Sequence, residues 1–82
     1  MPTIMYGTKN CPDVREALQY IAASGLAVEF RNFDDSVASL KEFVRLRDSR
    51  AEFDEAKKNG SLGIPCFVTE EGKIYFEIES VL

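Results

Sequence analysis

The stretch TIMYGTKNCPDV, residues 3–14, carries the pattern that decides both the fold and the chemistry of this chain. Residues 3–6 are apolar and typical of a strand, and a helical pattern begins at Pro12. Cys11 is therefore predicted to stand at a helix N-terminus, where free backbone N–H groups and the helix dipole favour a negative charge. A thiolate forms more easily there, as it does in reactive cysteines. A buried and inert cysteine beside a helix start would have the same sequence, so this motif alone leaves both interpretations open.

A β-α-β unit is predicted from the first 33 residues. Apolar side chains recur at helical spacing after Cys11, and Ser24-Gly25 ends the helix. Residues 26–33 alternate in part, with Val28 and Phe30 on one face, which indicates a second strand. The connection between the strands is long enough for them to lie parallel.

The second half of the chain predicts two helices and a β-hairpin. Two potential capping boxes, Ser39 with Glu42 and Ser49 with Glu52, indicate helices over 37–47 and 50–58. The buried stripe of the first of these helices is predicted to consist of Val37, Leu40, Phe43 and Val44. A turn at residues 70–72 separates strands over 66–69 and 73–78. The second of these strands is predicted to present Ile74, Phe76 and Ile78 on one face. The predicted order is β-α-β-α-α-β-β with a short C-terminal tail.

The composition is that of a small acidic globular domain. The chain has 82 residues, a formal net charge of −4, 45% hydrophobic residues and 29% charged residues. These values predict a single domain over residues 1–82 with one hydrophobic core. A negative net charge provides no basic surface for nucleic acid or for an anionic membrane, so neither is expected as a partner.

The absence of histidine narrows the chemistry further. Without imidazole, Cys-His and Ser-His hydrolysis and ordinary zinc sites are not expected. Two cysteines, Cys11 and Cys66, do not form the dense pattern of a small secreted disulfide domain. No apolar run approaches the roughly 18 residues of a membrane span, and no signal-peptide pattern is present. We expect a monomeric cytoplasmic protein without a bound metal.

Two motifs together resemble the glutaredoxins of the thioredoxin-like superfamily. Cys11-Pro12-Asp13-Val14 opens the first predicted helix, and Gly63-Ile64-Pro65 precedes the third strand. The length, the element order and the spacing of the motifs fit over nearly the whole chain. The most similar branch is a group of small bacterial glutaredoxin-related proteins with Cys-Pro-Asp-Cys and Gly-Ile-Pro-Cys motifs. The resemblance implies a thioredoxin-like α/β fold, with a four-stranded mixed sheet flanked by helices, and thiol-disulfide exchange as the activity.

The resemblance also implies roles for individual residues. In the family the first cysteine attacks a disulfide, and a cis proline places backbone beside its sulfur, so Cys11 is the implied nucleophile. The bond before Pro65 is implied to be cis, which X-Pro bonds adopt at low cost. Ile64 is then expected to present its N–H and C=O to the cysteinyl backbone of bound glutathione, the expected co-substrate. Lys9 is near enough to Cys11 in sequence to meet a carboxylate of glutathione, and Pro12 belongs to the same substrate-binding motif.

The chain departs from the family pattern at two places. Val14 stands where the family has its resolving cysteine, and it belongs to the apolar stripe of the helix. A disulfide formed on Cys11 must then be released by a second glutathione molecule or by Cys66. Cys66 follows Pro65, although the alternation of side chains along a strand could equally bury it. Residues 76–82 also lack the Gly-Gly pair and acidic cap that usually bind the γ-glutamyl end of glutathione.

Three functions are compatible with these motifs. The first is a glutaredoxin-like thiol-disulfide oxidoreductase that acts on glutathione mixed disulfides or protein disulfides through Cys11, alone or with Cys66. The second is a non-enzymatic thioredoxin-fold module that binds a protein partner or carries an iron-sulfur cluster. The third is arsenate reduction, suggested by a weaker likeness of residues 6–11 to arsenate reductase-like proteins. Candidate anion contacts are Arg15, Arg45, Arg47 and Arg50.

Overall fold

The computed structural model describes residues 2–82 as a four-stranded mixed sheet with three α-helices packed on it. The strands are β1 (Thr3–Gly7), β2 (Val28–Asn32), β3 (Cys66–Val68) and β4 (Ile74–Tyr75). The α-helices are α1 (Pro12–Ser24), α2 (Val37–Ser49) and α3 (Asp54–Asn59). Two 3₁₀ turns complete the fold, Ala51–Phe53 before α3 and Ile78–Ser80 after β4. The predicted α/β class and the order β-α-β-α-α-β-β are confirmed.

The strands lie in the order β2-β1-β3-β4 across the sheet. β1 and β2 are parallel, as predicted, while β1 pairs antiparallel with β3 and β3 antiparallel with β4. Gly7 and Asn32 lie opposite each other at the carboxyl ends of the parallel pair. The loops that follow β1 and β2 therefore leave the same edge of the sheet.

Alternating side chains of β1 and β3 enter two hydrophobic clusters on opposite faces of the sheet, because successive residues of a strand point to opposite sides. The first cluster, on the face covered by α1, consists of Met5, Val14, Ala17, Phe67 and Ile78. The second cluster, on the face covered by α2, consists of Tyr6, Phe43, Phe53, Cys66 and Ile74. A residue of β1 or β3 is committed to one face by its register, while Ile64, in the loop before β3, packs against both clusters.

The predicted capping boxes are wrong. α2 begins at Val37, as predicted, but its N-cap is Ser36 rather than Ser39, and the Ser36 side chain accepts a hydrogen bond from the Ser39 backbone N–H at 3.3 Å. Glu42 is consequently on the side of the helix, where it accepts hydrogen bonds from the Tyr6 hydroxyl and from Arg31. Ser49 is the last residue of α2 rather than a cap. A serine three residues before a glutamate is a weak signal when another serine lies closer to the helix start.

The predicted apolar stripe of α2 is also wrong in part. Phe43 is fully buried, but Val37, Leu40 and Val44 are exposed, Val37 at 68%. Phe43 is the one fully buried residue of α2, and it contacts the rings of Tyr6, Phe33 and Phe53 with centroids 5.2–5.8 Å apart. The neighbouring aliphatic side chains therefore lie outside the contact.

The C-terminal strand is shorter than predicted. β4 contains only Ile74 and Tyr75, and the chain then turns into the second 3₁₀ helix. Ile74 packs in the second cluster with Phe76 against it, whereas Ile78 packs in the first cluster. Period-two alternation thus holds for Ile74 and Phe76 and fails at Ile78, because the 3₁₀ turn carries that residue around the end of the sheet.

Within residues 2–82 no helix is both long and apolar enough to cross a membrane.

Candidate functional site

Cys11 is the N-cap residue of α1, as predicted. Its backbone is extended (φ −94°, ψ 124°), Pro12 follows at the first helical position, and the Cys11 side chain makes no capping hydrogen bond. The Cys11 carbonyl accepts the first helical hydrogen bond, from Arg15 N–H at 3.1 Å. The thiol is free, partly exposed and packed at the border of the first cluster. Its sulfur thus lies at the helix end where unpaired N–H groups gather.

The loop before Cys11 is fixed by a polar network that joins it to the end of β2. The Thr8 hydroxyl donates to the Asp34 carboxylate at 2.7 Å and accepts from the Asn10 backbone N–H at 3.2 Å. The Cys11 N–H donates to the Thr8 carbonyl at 3.1 Å, and Phe33 N–H donates to the Gly7 carbonyl at 2.9 Å. These bonds set the position of the thiol before any substrate arrives.

Val14 fills the space directly beneath this loop. It is fully buried in the first cluster, in agreement with the sequence. A Cβ atom at Gly7 would lie 2.8 Å from Val14 Cγ2, which is closer than real Cβ contacts. Glycine at the end of β1 therefore allows α1 to approach the sheet, and the position of the family's second cysteine is a packing position in this chain.

The peptide bond between Ile64 and Pro65 is cis, as the resemblance implied. Arg47 of α2 holds the loop that leads to it, by donating to the carbonyls of Leu62 at 2.8 Å and Ser61 at 2.6 Å. Within residues 2–82 the N–H and C=O of Ile64 have no backbone hydrogen-bond partner. Ile64 is half-buried and lines a groove with Cys11. A donor and an acceptor are thus available beside the thiol for the backbone of an extended ligand.

Cys66 occupies different surroundings. It lies opposite Tyr6 in the antiparallel ladder and is fully buried in the second cluster. Burial raises the pKa of the Cys66 thiol to about 12, with a smaller opposing effect from the Arg50 charge. Phe67, the next residue of β3, takes the side that faces the first cluster. Strand alternation therefore directs Cys66 away from the face on which Cys11 packs, and both cysteines are free thiols.

Two grooves meet at Ile64. The thiol groove is a space of about 380 Å³ whose wall includes Thr8, Asn10, Cys11, Ser61, Leu62, Gly63 and Ile64. The acidic groove is a space of about 360 Å³ on the other side of the cis peptide, between the start of α1 and the end of the chain. Its floor is apolar and consists of Ala17, Ile64, Pro65, Phe76 and Ile78. Its rim carries four carboxylates, those of Asp13, Glu16, Glu77 and Glu79.

The cationic side chains named from the sequence are placed in different ways. Lys9 is exposed and is not part of the thiol groove wall. Arg15 donates to the Lys9 backbone carbonyl at 2.7 Å, which ties the first turn of α1 to the loop before Cys11. Arg50 pairs with Glu52 at 2.7 Å and donates to the Gly72 carbonyl. With Arg47 also bonded to carbonyls, three of the four candidate arginines hold backbone rather than facing the thiol.

Sequence reasoning missed the residues that fix the site. Asp34 and the Glu77–Glu79 rim were not predicted to take part, and Arg47 was predicted to contact an anion rather than to hold the loop before Pro65. Parallel pairing of β1 and β2 could have indicated Asp34, because the loops that follow two parallel strands meet at one edge of the sheet. No sequence pattern would have placed Arg47 on the loop before Pro65. Among residues 2–82 no group of three or more histidine, cysteine, aspartate or glutamate side chains is arranged to hold a metal ion.

Comparison with known proteins identifies one relative over the full domain. Over 78 residues the chain is 33% identical to a Haemophilus influenzae protein described as an uncharacterized protein, and the match covers 95% of this chain and 91% of that protein. The chain belongs to the same family as that protein. No family model matches the chain, and no solved structure matches it. The description of the relative assigns no activity, so the site geometry carries the functional argument.

Proposed function

We propose that this protein is a glutaredoxin-like thiol-disulfide oxidoreductase with a thioredoxin-like fold, in which Cys11 is the only reacting thiol. The observation that carries the proposal is the meeting of two features in one groove. Cys11 stands partly exposed at the N-terminus of α1, and Ile64 offers an unpaired backbone N–H and C=O beside it. The four-stranded mixed sheet with helices on both faces is consistent with the thioredoxin-like architecture.

The first step is attack of the Cys11 thiolate on one sulfur of a substrate disulfide. The substrate S–S bond breaks, a new S–S bond forms between Cys11 and the attacked sulfur, and the other substrate sulfur leaves as a thiolate. The helix N-terminus stabilises the attacking thiolate through its unpaired N–H groups. The backbone of Ile64 aligns an extended ligand by hydrogen bonding, and Pro12 and Pro65 border the ligand without donating hydrogen bonds of their own.

The second step returns Cys11 to the thiolate. A second thiol attacks the mixed disulfide, forms a new S–S bond with the substrate sulfur, and releases Cys11. Cys66 is an unsuitable second thiol, since it is fully buried on the opposite face with a pKa raised to about 12. Val14 occupies the usual resolving position. The reductant is therefore an external thiol such as glutathione. One such thiol releases Cys11 as described, and a second attacks the resulting mixed disulfide, which frees the substrate thiolate and leaves the disulfide of the two external thiols.

The test is the reduction of a protein-glutathione mixed disulfide with glutathione as reductant, compared among wild type, Cys11→Ser and Cys66→Ala. The proposal predicts that Cys11→Ser loses at least about a hundredfold in rate, because the attacking thiolate is gone. Cys66→Ala retains at least about half of the wild-type rate once its folding is verified by circular dichroism. An equal loss in both variants would show that Cys66 takes part, and full activity of Cys11→Ser would remove the proposal.

A further inference from the structure

A groove next to the thiol groove carries negative charge, which bears on the kind of disulfide that can approach Cys11. The acidic groove adjoins the thiol groove at Ile64 and carries Asp13, Glu16, Glu77 and Glu79 on its rim. Among residues 2–82 none of these four carboxylates forms an ion pair or a side-chain hydrogen bond. A third groove that also meets Ile64 adds Glu52 and Glu55, of which Arg50 pairs only with Glu52.

Among residues 2–82 no lysine or arginine lines the acidic groove. The nearest candidate in sequence, Arg15, is directed at the Lys9 carbonyl. Carboxylates that share a concave surface combine their fields and repel an anionic ligand, whereas they attract a cationic one.

The groove also has the form that an extended chain requires. Its floor contains the buried side chains Ala17, Pro65 and Ile78, with Ile64 and Phe76 half-buried beside them. The unpaired N–H and C=O of Ile64 supply a place for backbone hydrogen bonds, as in the addition of a peptide to exposed backbone. The apolar floor, the backbone groups of Ile64 and the acidic rim are together suited to a peptide segment. Such a segment would carry basic side chains on either side of its cysteine.

We propose that the substrate of Cys11 is a disulfide within a basic segment of a protein, with lysine or arginine beside the reacting cysteine, rather than a disulfide of glutathione. This inference rests on the proposed function, and it names the substrate class of the same site. Glutathione carries two carboxylates and one ammonium group, so the rim disfavours it as the group held in the groove. It remains suitable as the releasing thiol, because attack on the mixed disulfide from solvent does not require the groove.

The chemistry of this substrate is the exchange already described. The Cys11 thiolate attacks the sulfur of the basic segment, the S–S bond of the substrate breaks, and its other sulfur leaves as a thiolate. A Cys11-peptide disulfide results. An external thiol attacks its peptide sulfur and releases the Cys11 thiolate, and a second external thiol then attacks the resulting mixed disulfide, which frees the peptide thiolate. The carboxylates take no part in making or breaking bonds. They affect only how fast the basic segment binds in the groove and how long it stays bound.

The test uses four probes that share the leaving group pyridine-2-thione, which is neutral and absorbs light when released. The probes are the 2-pyridyl disulfides of a pentapeptide with lysine on both sides of its cysteine, of the same peptide with glutamate in those places, of glutathione, and of 2-mercaptoethanol. Second-order rate constants are measured at low and high salt. At low salt we expect the lysine peptide to react at least about tenfold faster than the glutamate peptide and glutathione, and the ratio to fall in high salt.

Two double variants with the same change in net charge separate the effect of the groove carboxylates from the effect of the protein's overall charge. Glu77→Gln with Glu79→Gln removes two rim carboxylates that are far from Cys11 in sequence. Asp48→Asn with Glu71→Gln removes two exposed carboxylates outside the groove. We expect the first pair to lower the lysine-to-glutamate ratio severalfold and the second pair to leave it within about twofold of wild type.

The outcomes distinguish this inference from the proposed function. Reaction of Cys11 with the neutral mercaptoethanol probe, together with equal rates for both peptides or equal ratios in the two variant pairs, would overturn the basic substrate and leave the oxidoreductase standing. Failure of Cys11 to react with any probe would overturn both. Faster reaction of the glutathione probe than of the lysine peptide would reverse the assignment of the substrate class.

Discussion

The two faces of the sheet each contain one cysteine, and they place it in different surroundings. On the face covered by α1, Cys11 is the N-cap residue of a helix and is partly exposed, and the nearby Ile64 has no backbone hydrogen-bond partner among residues 2–82. On the face covered by α2, Cys66 is fully buried in a cluster of mainly aromatic side chains, and this burial raises the pKa of its thiol to about 12. The comparison teaches that the element on which a thiol stands, and its register there, decide whether the thiol is accessible. Proximity to a motif in the sequence does not.

The largest expected effect concerns the reactivity of Cys66. In the Cys11→Ser variant Cys66 is the only thiol, and its alkylation at neutral pH should be about a thousandfold slower in the native protein than in urea. A pKa near 12, instead of the free value of about 8.5, lowers the thiolate fraction at neutral pH by about a thousandfold or more. The measurement is a time course of iodoacetamide labelling by mass spectrometry. Similar labelling rates in the folded and unfolded states would show that burial does not protect Cys66, and the contrast with Cys11 would be lost.

A second prediction concerns a variant that removes a buried ring from the cluster around Cys66. Phe53 is fully buried and meets the rings of Phe43 at 5.6 Å and Phe76 at 5.1 Å. Phe53→Ala should lower the free energy of unfolding by about 3–5 kcal/mol and make Cys66 easier to label. Val37→Ala is the matched control on α2, and it should change stability by less than about 0.5 kcal/mol because Val37 is exposed. Urea denaturation measures both, and a large cost at Val37 would favour the sequence-based stripe over the structure.

These predictions also show where the sequence was sufficient. The spacing of Val14 and Ala17, the glycine that ends α1 and the β-α-β pattern are local signals, and the structure confirms them. The N-cap position of Cys11 followed from the strand before it and the proline after it. Each of these features depends on residues close to one another in the chain.

The remaining features depend on partners that are distant in sequence. Glu42 was assigned to a helix cap, but the hydroxyl of Tyr6 and the guanidinium of Arg31 hold it. Ile78 was assigned to a strand, but the 3₁₀ turn moves it to the opposite core. Val37 was assigned to the buried stripe of α2, but it is exposed, and Phe43 is the buried residue of that helix. At these positions tertiary contacts override the preference that the local sequence pattern indicates.

A third prediction tests how α1 is held against the Cys11 face. Gly7→Ala would place a Cβ atom 2.8 Å from Val14 Cγ2, so the helix or the side chain must shift. We expect a loss of about 1–3 kcal/mol in stability and a slower reaction of Cys11, because the loop that carries the thiol starts at residue 7. Adding Val14→Ala to Gly7→Ala removes the clash. The double variant should then be less destabilised than the sum of the two single variants, and strict additivity in urea denaturation would contradict the proposed contact.

The smallest expected effect is a dependence of stability on alkaline pH. The pKa of Cys66 is raised on folding to about 12, so its contribution is complete below the unfolded pKa and is lost as pH rises towards 12. Between pH 9 and 11 wild type should lose more stability than Cys66→Ala, by on the order of 1 kcal/mol per pH unit. Tyr6, whose pKa is raised to about 12 by burial and by Glu42, contributes equally to both proteins. Parallel curves from urea denaturation would show that Cys66 is not held as a neutral thiol.

The central claim is that Cys11 is the only thiol of the folded protein that exchanges with a disulfide. Its most direct test is the incubation of the reduced native protein with the neutral disulfide of 2-mercaptoethanol, followed by intact mass and peptide mapping. The account predicts one mercaptoethanol adduct, located on Cys11, with Cys66 unmodified and no loss of two hydrogens from the chain. An adduct on Cys66, or a Cys11-Cys66 disulfide seen as the loss of two hydrogens, would contradict it.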